Sequence, residues 1–473
     1  MTSEKKGIGK GELVALIVSS SIGTGAFGIM SDLAGAAAPG PMLLAWVFVG
    51  IGIFALVMSL NNLGAKRPEL SAGIFSYPGE QFGPLGEFIS GWAYWLSAWL
   101  GNIAFATMLM SSFGTFFPAF KGGQNLASIL VAIVFVWLLT ILVNNGIEGA
   151  SFINTIVTIC KLIPIFVFMV FMIISFKAGV FTADFWGNVA DNTLHNGGHA
   201  SVFTQMKGSV MVMMWVFVGI EGASVLGNRA KKKSDARAAT TIALIALLAI
   251  YVLISLLPFG VFSQAKLAAM DQPAMGEILK AVVGPWGSVL INVGLIISTL
   301  GSWLSWTMLP AETTMLMARD KTLQSYWGKL NKKGAPTASL VITGVLQTVF
   351  LFSLLFTEYA YNFAYSLSTA AILISWLLVG TYQVQYSYQK KDWTQFAIGI
   401  VAAAFQLIAM VLAGWQQILM VSILCVPGFI FYYLACREND RKMTRNEKLV
   451  IAAFVIVAII SVVLICTGVV SIG

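Results

Sequence analysis

Long apolar runs separated by short polar intervals dominate the chain. Ser128 to Val143, Thr155 to Phe176, Thr240 to Phe262 and Ala397 to Ala413 are nearly uninterrupted. Each approaches the ~20 apolar residues that a helix needs to cross a bilayer. About 13 spans are predicted on this criterion, near residues 12–36, 41–62, 86–118, 125–145, 151–176, 203–228, 238–262, 285–316, 337–356, 360–386, 395–413, 415–436 and 448–470. No interval between them is long enough for a large soluble domain. The pattern predicts an all-α polytopic membrane protein.

Two spans carry interruptions. The first contains SIGTGAFG, in which Gly23, Gly25 and Gly28 fall at the spacing G-x-G-x-x-G. That spacing marks a dinucleotide site only after a strand and at the mouth of a helix, whereas here it lies inside an apolar stretch from Leu13 to Ala38. Unwound backbone at membrane depth is tolerated only where it is buried in protein or lines a cavity, so Gly23-Thr24-Gly25 predicts a functional break. The sixth span contains MMWVFVGIEGASVLG, with Gly219 and Gly222 flanking the acid Glu221. Interrupted spans at corresponding positions, first and sixth, point to a transporter with inverted repeats and a midplane site. The expected division is a segment 1–11, one repeat over 12–176 (spans 1–5), a second over 203–386 (spans 6–10) and peripheral spans over 395–470. The half-helix that begins near Gly25 offers N–H groups and a positive dipole end to a carboxylate. Carbonyls of the broken sixth span suit an ammonium group, so together they describe a receptor for an α-amino acid.

Composition agrees with a membrane setting: 58% of the 473 residues are hydrophobic and 10% charged, against roughly 25% charged in a soluble domain. The net charge of +8 does not indicate a nucleic-acid partner, because the cations follow alternate loops. Lys66, Arg67, Arg229, Lys231, Lys232, Lys233, Arg237, Arg319, Lys321, Lys329, Lys332, Lys333, Lys390, Lys391, Arg437, Arg441, Lys442, Arg445 and Lys448 fall on one side, and only Lys121, Lys177, Lys207, Lys266 and Lys280 on the other. This bias predicts a cytoplasmic N-terminus and an external C-terminus. MTSEKKGIGKGEL lacks the short apolar core and cleavage site of a signal peptide, so none is expected.

The remaining chemistry is sparse. Cys160, Cys425, Cys436 and Cys466 have unrelated spacings, which argues against a disulfide framework or a zinc site. His195 and His199 lack further ligands nearby and are expected at the surface without metal. With no acid pair or metal motif in the spans, no catalytic constellation and no cofactor are expected. A channel would need a continuous polar lining, for which the spans hold too few polar residues. Lys161 and Glu221 are the exceptions, because an ionisable group inside a span must face a partner or water; Lys161 could alternatively reach for the membrane surface. In the third span Ala98, Asn102 and Phe105 share one helix face, and Asn102 suits either an interhelical hydrogen bond or a ligand.

The chain resembles the amino acid-polyamine-organocation superfamily, and within it the basic amino acid antiporters. The likeness runs from IGTGAF in the first span through SAWLGNIAF and MWVFVGIEGAS to LSWTMLPAETT in the eighth. It implies the LeuT-like fold, with a 5+5 inverted repeat, and exchange of a cationic amino acid for its catabolic product, arginine for ornithine first. Histidine/histamine, tyrosine/tyramine and agmatine/putrescine exchange are alternatives, with proton-coupled symport further off. By the resemblance, Thr24 and Gly25 would hold the carboxylate, and carbonyls around Ser21, Ile22, Trp215 and Val218 the amino group. Ala98, Asn102, Phe105 and Ser368 would line the side chain, and Trp306 would stack on its cationic end, with Trp303 one turn away as the alternative. Trp215 and Trp376 would gate, although the arginine/agmatine branch has tyrosine at the latter position. Lys161 would stand where related transporters hold sodium, and Glu221 would serve the inner gate as a proton-sensitive acid. The implied location is a bacterial cytoplasmic membrane, the expected partners are small amino acids or amines and lipid, and a homodimer is left open.

Overall fold

The computed structural model describes residues 10–70, 74–146, 151–188, 200–221, 233–356 and 360–470. His195, His199, Gly222 and the run from Arg229 to Lys232 lie outside the described residues. Helices dominate, and no strand occurs among the described residues. Numbering helices of ten residues or more in chain order gives α1 (Lys10–Ser21), α2 (Gly25–Ala36), α3 (Pro39–Lys66), α4 (Ser76–Gly114) and α5 (Leu126–Asn144). They continue with α6 (Ser151–Ser175), α7 (Val202–Trp215), α8 (Lys233–Leu256), α9 (Ala274–Val283) and α10 (Pro285–Arg319). The last are α11 (Thr337–Ser353), α12 (Ala360–Gln389), α13 (Trp393–Ala413), α14 (Trp415–Glu438) and α15 (Arg445–Cys466).

Among the described residues, 10 helices are long and apolar enough to cross a membrane, namely α3–α5, α8 and α10–α15. The expected first span appears as two 12-residue halves, α1 and α2, the fifth as α6, and the sixth as α7 followed by a turn. Exposed apolar side chains fall at helical spacing, as with Leu43, Val47, Ile51 and Phe54 on α3 and Leu126, Leu130, Val134 and Leu138 on α5. Buried positions include Asn102, Gln383 and Gln406, each fully enclosed. Apolar stripes facing outward with polar groups inside suit a hydrocarbon solvent, where an unsatisfied polar group is costly.

The third span differs from its expected start. The span is expected from about residue 86, yet α4 begins at Ser76 and bends at Gly83, whose φ of 69° is open to glycine. Pro84 then starts the long segment that carries Ala98, Asn102 and Phe105, consistent with the preference of proline for a first helical turn.

The chain forms two compact units, one of residues 1–70, 156–298 and 387–405, the other of residues 71–155, 299–386 and 406–473. In the first unit, the break between α1 and α2 packs against the end of α7 and the middle of α8. Trp46, Phe217 and Tyr251 are buried and form one aromatic cluster there: Trp46 stacks on Tyr251 at 6.3 Å, and Phe217 meets Tyr251 edge-on at 5.4 Å. Trp46 is anchored by its own indole N–H, which donates to Ser255 Oγ at 2.9 Å. Two glutamines clamp α2, with Gln264 donating to Ala34 O at 2.8 Å and Gln272 to Gly28 O at 3.1 Å.

In the second unit, α4 and α12 are joined by serines. Ser375 donates to Ser90 O at 2.8 Å and Ser368 to Ser97 O at 2.8 Å. Both pairs are seven residues apart on each helix, which is the register of two antiparallel helices in continuous contact. Small residues let such backbones approach closely, and hydrogen bonds between them cannot be lost to lipid.

Candidate functional site

Two constellations collect the candidate residues, one in each unit. In the first unit, α1 stops at Ser21 and α2 starts at Gly25 with Thr24 as its N-cap. A helix end leaves its last carbonyls without intrahelical partners and carries partial negative charge. Both effects are answered here by groups from other helices. Lys161 on α6 donates to Ile22 O at 2.9 Å and is 3% exposed. Tyr251 on α8 places its hydroxyl 3.1 Å from Ser21 O and 3.0 Å from Val216 O, so it spans the first break and the sixth-span turn. A cation at the carbonyl pole of α1 is electrostatically favourable and accounts for the burial of an otherwise expensive lysine.

The opposite pole is that of α2. Its first N–H groups belong to Gly25 and the residues after it, and there is no room for a side chain: a Cβ on Gly25 would lie 2.9 Å from Trp215 Nε1 and 2.9 Å from Val216 Cγ1. The glycine is therefore required by the close approach of the sixth-span turn. Beside it, the hydroxyls of Ser21 and Thr24 are buried with no hydrogen-bond partner among the described residues. A buried hydroxyl left unsatisfied costs about 1–3 kcal/mol, which a ligand or water would relieve.

After Trp215 the chain turns through residues 216–221. Gly219 has φ 102°, a conformation open to glycine, and its N–H donates to Glu221 Oε2 at 3.1 Å. The Trp215 carbonyl accepts from Val218 N at 3.1 Å but keeps a second lone pair, as does that of Ser21. Glu221 is buried, so the acid predicted in the broken span is enclosed with its carboxylate folded onto the turn.

In the second unit, Asn102 on α4 donates through Nδ2 to Trp306 O at 3.0 Å. This bond fixes the amide, and it leaves Oδ1 buried with no partner among the described residues. Phe105, one turn further along the same face, meets the Trp306 ring edge-on at 5.9 Å. Ala98 is fully buried and Trp303 likewise, while Trp306 is only partly so. Asn102 and Phe105 thus both contact Trp306. An enclosed carbonyl oxygen and an aromatic face are both attractive to a cation without being charged themselves. Trp376 is fully buried, and its indole N–H has no partner among the described residues. Ser368, expected as a pocket position, spends its hydroxyl on Ser97 and holds α12 to α4.

Tyr251 is the residue that sequence reasoning missed. A lone tyrosine in the run IALLAIYVLISL reads as packing, and the only available signal was a hydroxyl at mid-span, where a buried polar tip needs a partner.

Comparison with known proteins adds to this geometry. The profile of the amino acid permease family matches residues 11–465. An arginine/ornithine antiporter of Latilactobacillus sakei is 54% identical over 99% of this chain and 99% of its own length. Another from Lactococcus lactis subsp. cremoris, ArcD1, is 49% identical over 96% of this chain and 88% of its own. An arginine/agmatine antiporter of Chlamydia caviae is 35% identical over 97% and 96%.

Proposed function

Because the chain belongs to the amino acid permease family, we propose that it exchanges arginine for ornithine across a bacterial cytoplasmic membrane by alternating access. It is a transporter and not an enzyme, and its relatives of highest identity given above carry the arginine/ornithine name. The observation that carries the substrate class is the Asn102 and Trp306 pair, a buried acceptor oxygen held beside an aromatic ring. Such a pair attracts a guanidinium or ammonium through neutral groups, and binding of that moderate strength permits release on the far side.

In this reading the N–H groups of Thr24 and Gly25 hold the substrate carboxylate, and the carbonyls of Ser21, Ile22, Trp215 and Val218 surround its amino group. Ala98, Asn102, Phe105 and Trp306 receive the side chain, with Ser368 behind them through its bond to α4. Trp215 and Trp376 close over the ligand, and Glu221 controls the inner gate. Spans 1–5 over 12–176 and spans 6–10 over 203–386 form the inverted repeats, with 395–470 peripheral. The cation-rich loops face the cytoplasm, with the N-terminus inside and the C-terminus outside.

A thermal-shift screen of amino acids and amines tests the substrate class, because a ligand at 100 times its dissociation constant adds ~2.7 kcal/mol to stability. Arginine and ornithine should raise the melting temperature, while histamine, tyramine and putrescine should not; stabilisation by those amines alone would reassign the pocket. In the same screen Glu221→Gln should be stabilised by arginine as the wild type is, yet exchange it more slowly.

Lys161 carries a separate expectation. Its ammonium already supplies the positive charge at the α1 carbonyl pole, so no sodium ion is needed there. Arginine uptake should proceed at the same rate in sodium and choline buffers, and a strict sodium requirement would remove Lys161 from this role.

A further inference from the structure

Between α4, α12, α13, α14 and α15, wholly within the second unit, lies a cavity of about 900 Å³ that none of the transport roles uses. Its size is at the upper end of small-molecule sites, which run to ~1,000 Å³. The walls are apolar: Phe82, Ile374, Leu377, Met410, Phe454 and Val457 all line it. Four polar lining residues, Arg441, Thr444, Asn446 and Glu447, gather at one end around the turn from α14 into α15, and Gln81 and Ser422 also line the cavity, Ser422 paired with Ser461 toward its deep end.

The end at Arg441 is built and held rigidly. Thr444 and Glu447 form a reciprocal capping box on α15, with Thr444 N to Glu447 Oε2 at 2.7 Å. Arg441 Nη1 donates to Glu447 Oε1 at 2.8 Å, and Nη2 donates to the Tyr432 hydroxyl and to Cys436 Sγ. These bonds use three of the five guanidinium donors. Around it, residues 437–448 carry five cations, Arg437, Arg441, Lys442, Arg445 and Lys448, against three acids, Glu438, Asp440 and Glu447. The rim is therefore cationic while the cleft behind it is greasy.

The dimensions match one leaflet. From Asn446 at the rim to Val457 at depth is eleven helical steps, ~16 Å at ~1.5 Å each, against ~15 Å for half of a ~30 Å hydrocarbon core. We propose that this cavity is a binding site for an anionic diacyl phospholipid, whose phosphate meets the remaining Arg441 donors, the Thr444 hydroxyl and the Lys442 and Arg445 ammonium and guanidinium groups, and whose acyl chain fills the cleft along α15. Basic pockets between spans at the membrane surface recognise lipid phosphates on the same electrostatic grounds.

Native mass spectrometry of the full chain in detergent, with phosphatidylglycerol, phosphatidylcholine or soluble glycerol 3-phosphate added, tests the site. The wild type should retain one phosphatidylglycerol at least tenfold more tightly than phosphatidylcholine and should not retain glycerol 3-phosphate. Arg441→Gln should erase the preference between the two lipids. Because that change also breaks the contact with Glu447, Ala453→Trp provides a second reading: it fills the cleft from α15 and should abolish retention while arginine/ornithine exchange persists. Equal retention of both lipids by the wild type, retention of glycerol 3-phosphate, or unchanged retention in Ala453→Trp would each overturn the proposal. So would loss of a dimer on Ala453→Trp with no lipid lost, since the occupant would then be a second copy of the chain.

Discussion

Gly25→Ala should reduce arginine/ornithine exchange at least a hundredfold. The added methyl would sit 2.9 Å from Trp215 Nε1 and from Val216 Cγ1, inside van der Waals contact, so α2 and the sixth-span turn must separate. Overpacking of this kind costs about 1–3 kcal/mol, but the larger effect falls on function. The N-terminal pole of α2 and the carbonyls after Trp215 would no longer be held at the spacing an α-amino acid requires. A built-in comparison exists on the same helix. Gly35 has nothing within 4 Å of its would-be Cβ, so Gly35→Ala should keep exchange intact and, by the helix preference of alanine, add about 0.5–1 kcal/mol. Initial counterflow rates and melting temperatures of both variants decide the matter. Normal exchange by Gly25→Ala would mean that the approach of Trp215 is not part of the binding geometry.

Trp306→Leu should weaken arginine and ornithine by about thirtyfold. A desolvated cation over an indole gains up to ~2 kcal/mol, and ~1.4 kcal/mol is a factor of ten. Leucine keeps the position apolar while removing the π face, so a neutral amino acid of similar size should lose much less. Trp303 is fully buried and makes no ring contact with the Asn102 and Phe105 face among those described, so Trp303→Leu should lower stability more than affinity. The reverse pattern, with Trp303→Leu losing the cationic ligands and Trp306→Leu binding them as the wild type does, would move the stacking role by one turn.

The features legible in the sequence were those where glycine or charge stands out against an apolar background. Gly23 and Gly25 marked a break that the structure resolves into α1 and α2, and Lys161 announced a buried cation whose partner is the carbonyl of Ile22. The face of Ala98, Asn102 and Phe105 followed from helical spacing, and Asn102 was left between an interhelical bond and a ligand role. The interhelical bond is present, Nδ2 donating to Trp306 O, and Oδ1 has no partner among the described residues.

Other features were hidden for physical reasons. Tyr251 links two breaks more than thirty residues apart from each other and from itself in the chain, and nothing local distinguishes it from a packing tyrosine. The serines of α4 and α12 are small residues in apolar helices, and only the antiparallel register shows that Ser90 and Ser97 meet Ser375 and Ser368. The expected third span begins near residue 86, whereas α4 begins at Ser76 and includes Pro78, Gly79, Gly83 and Pro84, all helix breakers. Only Gly83 adopts a non-helical conformation within α4, so one residue absorbs what four seemed to require.

Counterflow in proteoliposomes tests the exchange most directly. Vesicles loaded with ornithine should accumulate labelled arginine well above equilibrium, and vesicles loaded with buffer alone should accumulate essentially none. Arginine entry that is equally fast into empty and ornithine-loaded vesicles would contradict obligatory exchange, and accumulation driven only by agmatine, histamine or putrescine on the inside would contradict the substrate pair.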